Sequence, residues 1–202
     1  MLMHDIVFPK GNELEFFAMA KTLGIKDMVF VYPSKQDADR APAVPKGLRI
    51  RTAVLADPKK ARQLREQGIF TIVRSSDADR QVLEQGAADV LFDLERSQPK
   101  DYMHQRGAGL NQILCALAIK NNVALAFNFA SILAASGSER AVILGRMMQN
   151  IVLCKKYKVH MVIASFADDP WKMRSPHDLQ AFFTLLGMHV SDAQKALSGL
   201  IR

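Results

Sequence analysis

IFTIVRSSDADRQVLEQGAADVL, residues 69–91, carries the pattern that decides the fold. Ile69–Val73 is a strand-sized apolar run rich in β-formers, and Asp89–Leu91 is a second, shorter one. Between them Ser76 is suited to cap a helix that ends near Gly86. Strand, helix and strand in so short a span predict two parallel strands joined by a helical crossover.

The same unit recurs on both sides. Upstream, Leu2–Phe8 is a first apolar run closed by Pro9 and Gly11. Leu14–Leu23 follows, with Leu14, Phe17, Ala18 and Ala20 near helical spacing. Ile25–Tyr32 is a second strand ended by Pro33, and Leu48–Ala56 a third. Asp57 suits the N-cap and Pro58 the first turn of the next helix. Downstream come a helix over Ala108–Lys120, a strand over Val123–Phe129, a long helix over about Glu139–Tyr157 and a strand over Val159–Ala164. Tyr32–Leu48, with three prolines and Gly47, reads as an extended surface loop, and Phe92–Gly109 as a second long loop.

Seven βα units can close as a barrel or stay open as a doubly wound sheet. No GxGxxG follows the first strand and no Walker A motif occurs, so the open nucleotide-binding folds lack their phosphate-binding signature. The preferred reading is one α/β domain over residues 1–202, a compact TIM-like barrel of about seven to eight units. That size is near the lower limit of the eight-unit form, about 200 residues, which leaves room for a missing, very short or helix-replaced strand.

Composition narrows the function. Half of the chain (49%) is hydrophobic and 23% is charged, the balance of a globular protein. No apolar run is long enough to span a bilayer, the N-terminus lacks a secretory pattern, and two cysteines argue against a disulfide scaffold. A reducing, cytoplasmic location and no membrane partner are expected. The net charge of +7 is unevenly placed: residues 1–101 carry 16 basic and 15 acidic groups, residues 102–202 carry 11 and 5. A one-sided positive field suits nucleic acid or phosphate, although it also keeps a small protein soluble.

The catalytic inventory is thin. Barrel enzymes place reactive groups at the C-terminal strand ends. Those positions offer Arg74, Asp93, Asn128 and Ser165, with Lys10 and Asp57 in adjoining loops. None of the five histidines pairs with another at metal-ligand spacing, and no Gly-x-Ser-x-Gly elbow occurs. His4-Asp5 is the nearest to a ligand pair, but strand alternation sends the two side chains to opposite faces, and an exposed or hydrogen-bonded His4 is the simpler reading. Cys115 and Cys154 read as buried thiols, and Met147, Met148 and Met161 as core. No catalytic residue and no metal ligand is assigned.

Basic groups are better placed. Arg106 lies in HQRGAG, just before the helix expected from Ala108, where backbone N–H groups favour anions. Lys155, Lys156 and Lys158 cluster at the end of the long helix, where they either complement its dipole or meet RNA. Arg174 precedes Ser175-Pro176-His177-Asp178, a strong helix start that holds it on a rigid corner beside Trp171 and Lys172. An aromatic next to a basic group is a common nucleic-acid contact pair, whereas a tryptophan alone is more often a packing residue.

Four stretches together carry a family likeness: HQRGAGLNQILCALAIKNNVALAFNF (His104–Phe129), GRMMQNIVLCKKYKV (Gly145–Val159), MVIASFA (Met161–Ala167) and MRSPHDLQAFFTLLGM (Met173–Met188). In order and spacing they resemble ribonuclease P protein component 3, the thirty-kilodalton subunit family of archaea and eukaryotes. The likeness is specific mainly from about Ile69 onward. Near the N-terminus Asp5-Ile6 stands where the family often has Asp-Leu, and the lack of long tails resembles the archaeal form.

The resemblance implies a TIM-like barrel related to metal-dependent phosphoesterase barrels but without their ligand set. It implies a non-catalytic subunit of the ribonuclease P endoribonuclease. The RNA removes the 5′ leader of precursor tRNA using magnesium, and the protein itself binds no cofactor. The protein would bind and stabilise the catalytic RNA together with a smaller protein subunit, in a two-by-two assembly, within a holoenzyme that holds precursor tRNA and other ribonuclease P proteins. Arg80, Arg106 and Arg174 occupy or lie near basic positions of the family. With Lys172, Lys155 and Lys156 they form the expected RNA-binding set. The competing reading is a stand-alone barrel phosphoesterase or phosphate-ligand enzyme, and a third is a scaffold that binds only proteins.

Overall fold

A strand with apolar residues on both faces needs cover on both sides, and a parallel sheet wrapped by helices supplies it. A computed structural model, describing residues 3–101, 103 and 106–199, has this arrangement. In chain order it runs β1 (His4–Val7), α1 (Glu13–Thr22), β2 (Asp27–Tyr32), α2 (Lys35–Asp39), β3 (Arg49–Leu55), α3 (Pro58–Glu66), β4 (Thr71–Arg74), α4 (Asp79–Glu84) and β5 (Val90–Phe92). Then follow a 3-10 turn (Leu94–Arg96), α5 (Gln112–Lys120), β6 (Ala124–Asn128), α6 (Phe129–Ala134), α7 (Gly137–Tyr157), β7 (Met161–Ala164), a 3-10 turn (Pro170–Lys172), α8 (Pro176–Leu185) and α9 (Val190–Ser198). The seven strands pair in sequence order, β1 to β7, and every pairing is parallel.

Side-chain alternation divides the core in two. Ile6, Val29, Val31, Ala53, Ile72, Val90, Ala126 and Val162 face inward and fill the barrel. The residues between them face the helices: Val73, Leu91, Leu125 and Ile163 on one side, Met28, Phe30 and Tyr32 on the other. Phe30 of β2 stacks on Phe17 of α1 at 5.5 Å and meets Phe16 edge-on at 6.1 Å. The face that α1 buries is thus Phe16, Phe17 and Ala20, whereas Leu14, expected in the apolar stripe, is 72% exposed.

Among the described residues no eighth strand closes the ring. The gap between β7 and β1 is bridged by the segment after β7. Val7 pairs in parallel with Ala167, and the Phe8 amide donates to the Ala167 carbonyl at 2.8 Å. The buried Asp5 carboxylate accepts from the Ser165 amide and the Ser165 hydroxyl, both at 2.6 Å, and from the Ile6 amide. A side chain here supplies the bonds that a strand ladder would make. Burial nonetheless pushes the Asp5 pKa up to about 6, against the lowering effect of those bonds.

Side-chain caps set the ends of several helices. Asp57 caps α3 by accepting from the Lys59 amide, and Ser175 caps α8 by accepting from the Asp178 amide. The helix expected from Ser76 starts three residues later, because Asp79 turns back and accepts from the Ser76 amide, closing a turn before α4. The helix expected from Ala108 starts at Gln112, where the Asn111 side chain accepts from the Leu114 amide. Gly109 prevents the earlier start: its φ is +77°, and a side chain there would overlap the Leu94 carbonyl. The surface loop after Tyr32 contains α2, nucleated by Ser34 accepting from the Asp37 amide. The apolar run ending at Phe129 is split, because the Asn128 side chain caps α6. Leu2, first in the N-terminal run, lies outside the described residues.

Both cysteines are buried as expected, with thiol pKa values raised by desolvation. Met147 and Met161 are core residues, but Met148 is 46% exposed, because it sits on the outer face of α7. Among the described residues no helix is long and apolar enough to cross a membrane.

Candidate nucleic-acid interface

The C-terminal mouth of the barrel is filled. Phe8 follows β1, Phe92 ends β5 and Phe166 follows β7, and their rings meet there. Phe92 and Phe166 stack at 4.7 Å with planes 9° apart, and Phe8 lies 6.0 Å from each. Phe166 has a φ of +50°, an unfavourable backbone setting for an aromatic residue. The apolar contact of three rings offsets that cost.

Arg74 covers this plug. Its guanidinium carbon lies 5.2 Å from the Phe92 ring centre and its Nε is 3.1 Å from Asp93. Asp93 also accepts from the Asn128 side-chain Nδ2 at 2.7 Å. Burial raises the Asp93 pKa, and the Asn128 bond and the Arg74 charge oppose the rise. The strand-end residues Arg74, Asp93 and Asn128 thus satisfy one another, and Ser165 is engaged by Asp5. Asp93, Asn128 and Ser165 are buried, whereas Arg74 is largely exposed and lines a surface cavity with Asp57, Lys59 and Ser75. Among the described residues no group of three or more His, Cys, Asp or Glu side chains could hold a metal ion.

His4 differs from its expected exposed or hydrogen-bonded state. It is buried at the opposite end of the barrel, and neither ring nitrogen has a hydrogen-bond partner. Desolvation pushes its pKa down to about 4. Asp5, its neighbour, is also buried, since both faces of β1 are covered.

Cations gather around the rim of the filled mouth. Lys10, in the loop after β1, and Lys172, in the turn after β7, share the Asp168 carboxylate at 2.9 Å and 2.6 Å. Their hydrogen bonds pull the Asp168 pKa down to about 2. Two ammonium groups on one carboxylate leave a net positive charge and unused N–H donors. Arg174 donates through Nη1 to the carbonyls of Trp171 (3.0 Å) and Met173 (2.7 Å), and its guanidinium carbon lies 5.7 Å from the Phe129 ring centre. The rigid corner expected from the Ser175 cap is therefore real, and Arg174 is locked to it without an acidic partner among the described residues.

Arg106 is positioned by a device that local sequence did not reveal. It does not stand at a helix N-terminus, because α5 begins at Gln112. Its guanidinium instead lies against Gly145 of α7, where any side chain would overlap it. The next residue, Arg146, is buried and clasps the loop that carries Arg106. It donates to Asp101 at 2.8 Å and to the carbonyls of Glu95 (3.0 Å) and Gln98 (2.8 Å). Asp101 in turn accepts from the Gly107 amide at 2.8 Å. The adjacent pair Gly145-Arg146, a gap followed by a long donor, was the available signal. His104 and Gln105, the start of the HQRGAG stretch, lie outside the described residues.

The remaining expected contacts divide between the two ends. Arg80 is exposed in the first turn of α4, on the side of the barrel mouth. Lys155 and Lys156 sit in the last turn of α7, at the other end. Lys155 donates to the Gly187 carbonyl at 3.2 Å, and the Lys156 ammonium lies 5.5 Å from the Tyr157 ring centre. Lys172 and Arg174 thus share one corner after β7, Arg80 stands apart at the start of the helix after β4, Arg106 lies against the middle of α7, and Lys155 and Lys156 sit at the far end of that helix.

Comparison with solved structures places the barrel among known folds. The chain superposes on a chain of a cryo-EM structure of archaeal ribonuclease P with mature tRNA with a TM-score of 0.74 and 21% identity, covering 96% of this chain and 89% of that one. An amidohydrolase matches with a TM-score of 0.61 and 8% identity, over 98% of this chain and 72% of that chain. At such identities the likeness establishes the barrel alone. Curated relatives named ribonuclease P protein component 3 are closer in sequence. That of Methanococcus maripaludis is 32% identical over 139 residues, 67% of this chain and 57% of the relative. That of Methanococcoides burtonii is 36% identical over 93 residues, 46% of this chain and 39% of the relative. That of Thermococcus kodakarensis is 33% identical over 94 residues, 46% of this chain and 43% of the relative. The chain thus matches about half the length of these relatives. The family model described as RNase P subunit p30 matches residues 19–202, which contain Phe92, Phe166, Lys172 and Arg174 but not β1, Phe8 or Lys10. A barrel with this order of motifs and this match belongs to the RNase P subunit p30 family.

Proposed function

We propose that this chain is a protein subunit of ribonuclease P that binds and stabilises the catalytic RNA and so supports removal of the 5′ leader from precursor tRNA. The carrying observation is the mouth itself. Where a barrel enzyme would hold its reactive groups, three phenylalanines close the barrel and Arg74, Lys10, Lys172 and Arg174 surround them. Such a surface suits phosphate contact, with counterion release as the driving term. The RNA supplies the chemistry with its own magnesium. The smaller ribonuclease P protein is the direct partner, in a two-by-two assembly, alongside the other ribonuclease P proteins and precursor tRNA. The complex works in the cytoplasm. The phosphoesterase alternative would need a metal-ligand cluster, and among the described residues no group of three or more His, Cys, Asp or Glu side chains could hold a metal ion.

Reconstitution with the cognate RNA, with and without the smaller subunit, tests this reading by precursor-tRNA cleavage. Removing charge at Arg174 and Arg106 together should lower reconstituted activity while circular dichroism stays native. Unchanged activity in that double variant overturns the assignment.

A further inference from the structure

Trp171 is the sole tryptophan of the chain, and it is 81% exposed. It is therefore not a packing residue, and its exposure is not the result of a loose loop. The turn Pro170–Lys172 is held at every step. Asp169 accepts the Trp171 amide through its side chain at 2.9 Å and the Lys172 amide through its carbonyl at 2.9 Å. The Met173 amide donates to the Pro170 carbonyl at 3.1 Å, and Arg174 ties down the Trp171 carbonyl at 3.0 Å. Pro170 and Met173, on either side, are buried. The Asp168 carboxylate, shared by Lys10 and Lys172, fixes two ammonium groups next to this turn. Asp168 and Asp169 offset part of the charge of Lys10, Lys172 and Arg174, and the corner remains net positive.

A large flat ring presented on an ordered backbone beside cations has a specific chemical complement. An unpaired nucleobase offers a π-face to the indole, and its flanking phosphates meet the ammonium groups. Prior ordering of the turn removes an entropic cost from binding. A duplex keeps its bases stacked on one another and would not use the ring. An apolar protein partner would use the ring, but it would gain little from the lysine pair.

We propose that Trp171 is a stacking platform for an unpaired RNA base, flanked by Lys10 and Lys172 as phosphate contacts. This rests on the RNA-binding reading above, and a single titration separates the two. The full chain is titrated at low salt with transcribed ribonuclease P RNA while the Trp171 emission is followed, with filter binding in parallel. Emission should be quenched along the binding curve. A blunt RNA duplex that binds through phosphates should leave it unchanged. Trp171→Ala should weaken RNA binding by about ten-fold or more, as loss of one stacked base does, without changing the salt slope. Trp171→Phe should restore binding to within about three-fold. Circular dichroism of both variants checks the fold.

If wild-type protein binds RNA but its emission does not respond and Trp171→Ala binds equally well, the stacking site is wrong and the RNA-binding reading stands. If wild-type protein binds no RNA at low salt, both fall. Equal quenching by the duplex overturns the preference for an unpaired base. Quenching by another ribonuclease P protein, and not by RNA, assigns the ring to a protein interface and overturns the proposal.

Discussion

The two ends of this barrel are closed by opposite means. At the N-terminal end, ion pairs and polar contacts do the work. Asp27 pairs with Arg49, and Asp89 takes Arg65 at 3.1 Å and the Thr71 amide at 2.8 Å. Arg65 also donates to the Gly86 carbonyl at 2.6 Å. At the C-terminal end, aromatic rings close the barrel, and most cations of the rim stay half-buried or exposed. Charges spent on internal pairs hold loops together. Charges around an apolar plug keep donors for an external phosphate. Ion pairs occur at both ends, but at the mouth two ammonium groups share the single Asp168 carboxylate and Arg174 has only carbonyl partners among the described residues; the proposed RNA contact rests on that surplus of donors.

That contrast can be broken, most severely at the plug. Phe92→Ala should cost about 3–5 kcal/mol, because a fully buried ring is lost and the neighbouring rings cannot fill the space. Urea unfolding measures it, and a loss under about 1 kcal/mol would show that the mouth is not a packed core. Arg146→Ala comes next, at about 2–3 kcal/mol, since it leaves the Glu95 and Gln98 carbonyls without this donor and Asp101 with only the Gly107 amide. Hydrogen exchange should then accelerate over residues 94–107 and little elsewhere.

A smaller effect distinguishes the ends by charge. At the N-terminal end Arg65→Ala should cost about 1–2 kcal/mol and leave RNA affinity unchanged. Arg174→Ala should alter stability by less than about 0.5 kcal/mol yet weaken RNA binding and reduce the salt slope by about 1. If the two variants behave alike, the division between the ends fails.

A further effect is a pH dependence. Glu95 is buried in the loop clasped by Arg146, and desolvation, with Asp93 nearby, pushes its pKa up to about 8. The unfolded chain releases that proton from about pH 4.5, so the folded state binds more protons between about 4.5 and 8 and loses stability as pH rises through that window. His4 acts with the opposite sign: its pKa of about 4 means that stability is lost as pH falls below about 6.5. Between pH 6.5 and 8 only Glu95 of these groups titrates. Stability measured by urea unfolding should fall there in the wild type and stay flat in Glu95→Gln.

The strands were legible because both of their faces are apolar, so runs such as Ile25–Tyr32 stand out whatever the tertiary context. The caps at Asp57 and Ser175 were legible because a polar side chain and a proline sit together. The starts of α4 and α5 were not, because competing turns at Asp79 and Gly109 depend on contacts with distant carbonyls and amides. Arg174 was readable as a fixed basic group, since its constraint is local. Arg106 was misplaced, because what orients it is a glycine on a helix 39 positions away in sequence. The plug was hidden for the same reason: Phe8, Phe92 and Phe166 meet only when the ring of strands closes.

The seam between β7 and β1 also sets an order of events in time. Every other strand pair joins neighbours in sequence, but the Asp5–Ser165 bonds span 160 positions. Lengthening a closing loop from one βα unit to the whole ring costs about 1.7 kcal/mol of extra chain entropy. During synthesis at roughly 5–20 residues per second, Asp5 waits about 8–30 seconds for its partner to be made. The growing chain therefore passes through an open, curved sheet with a charged residue at its free edge. A carboxylate on that edge discourages pairing with another nascent chain until Ser165 arrives to claim it.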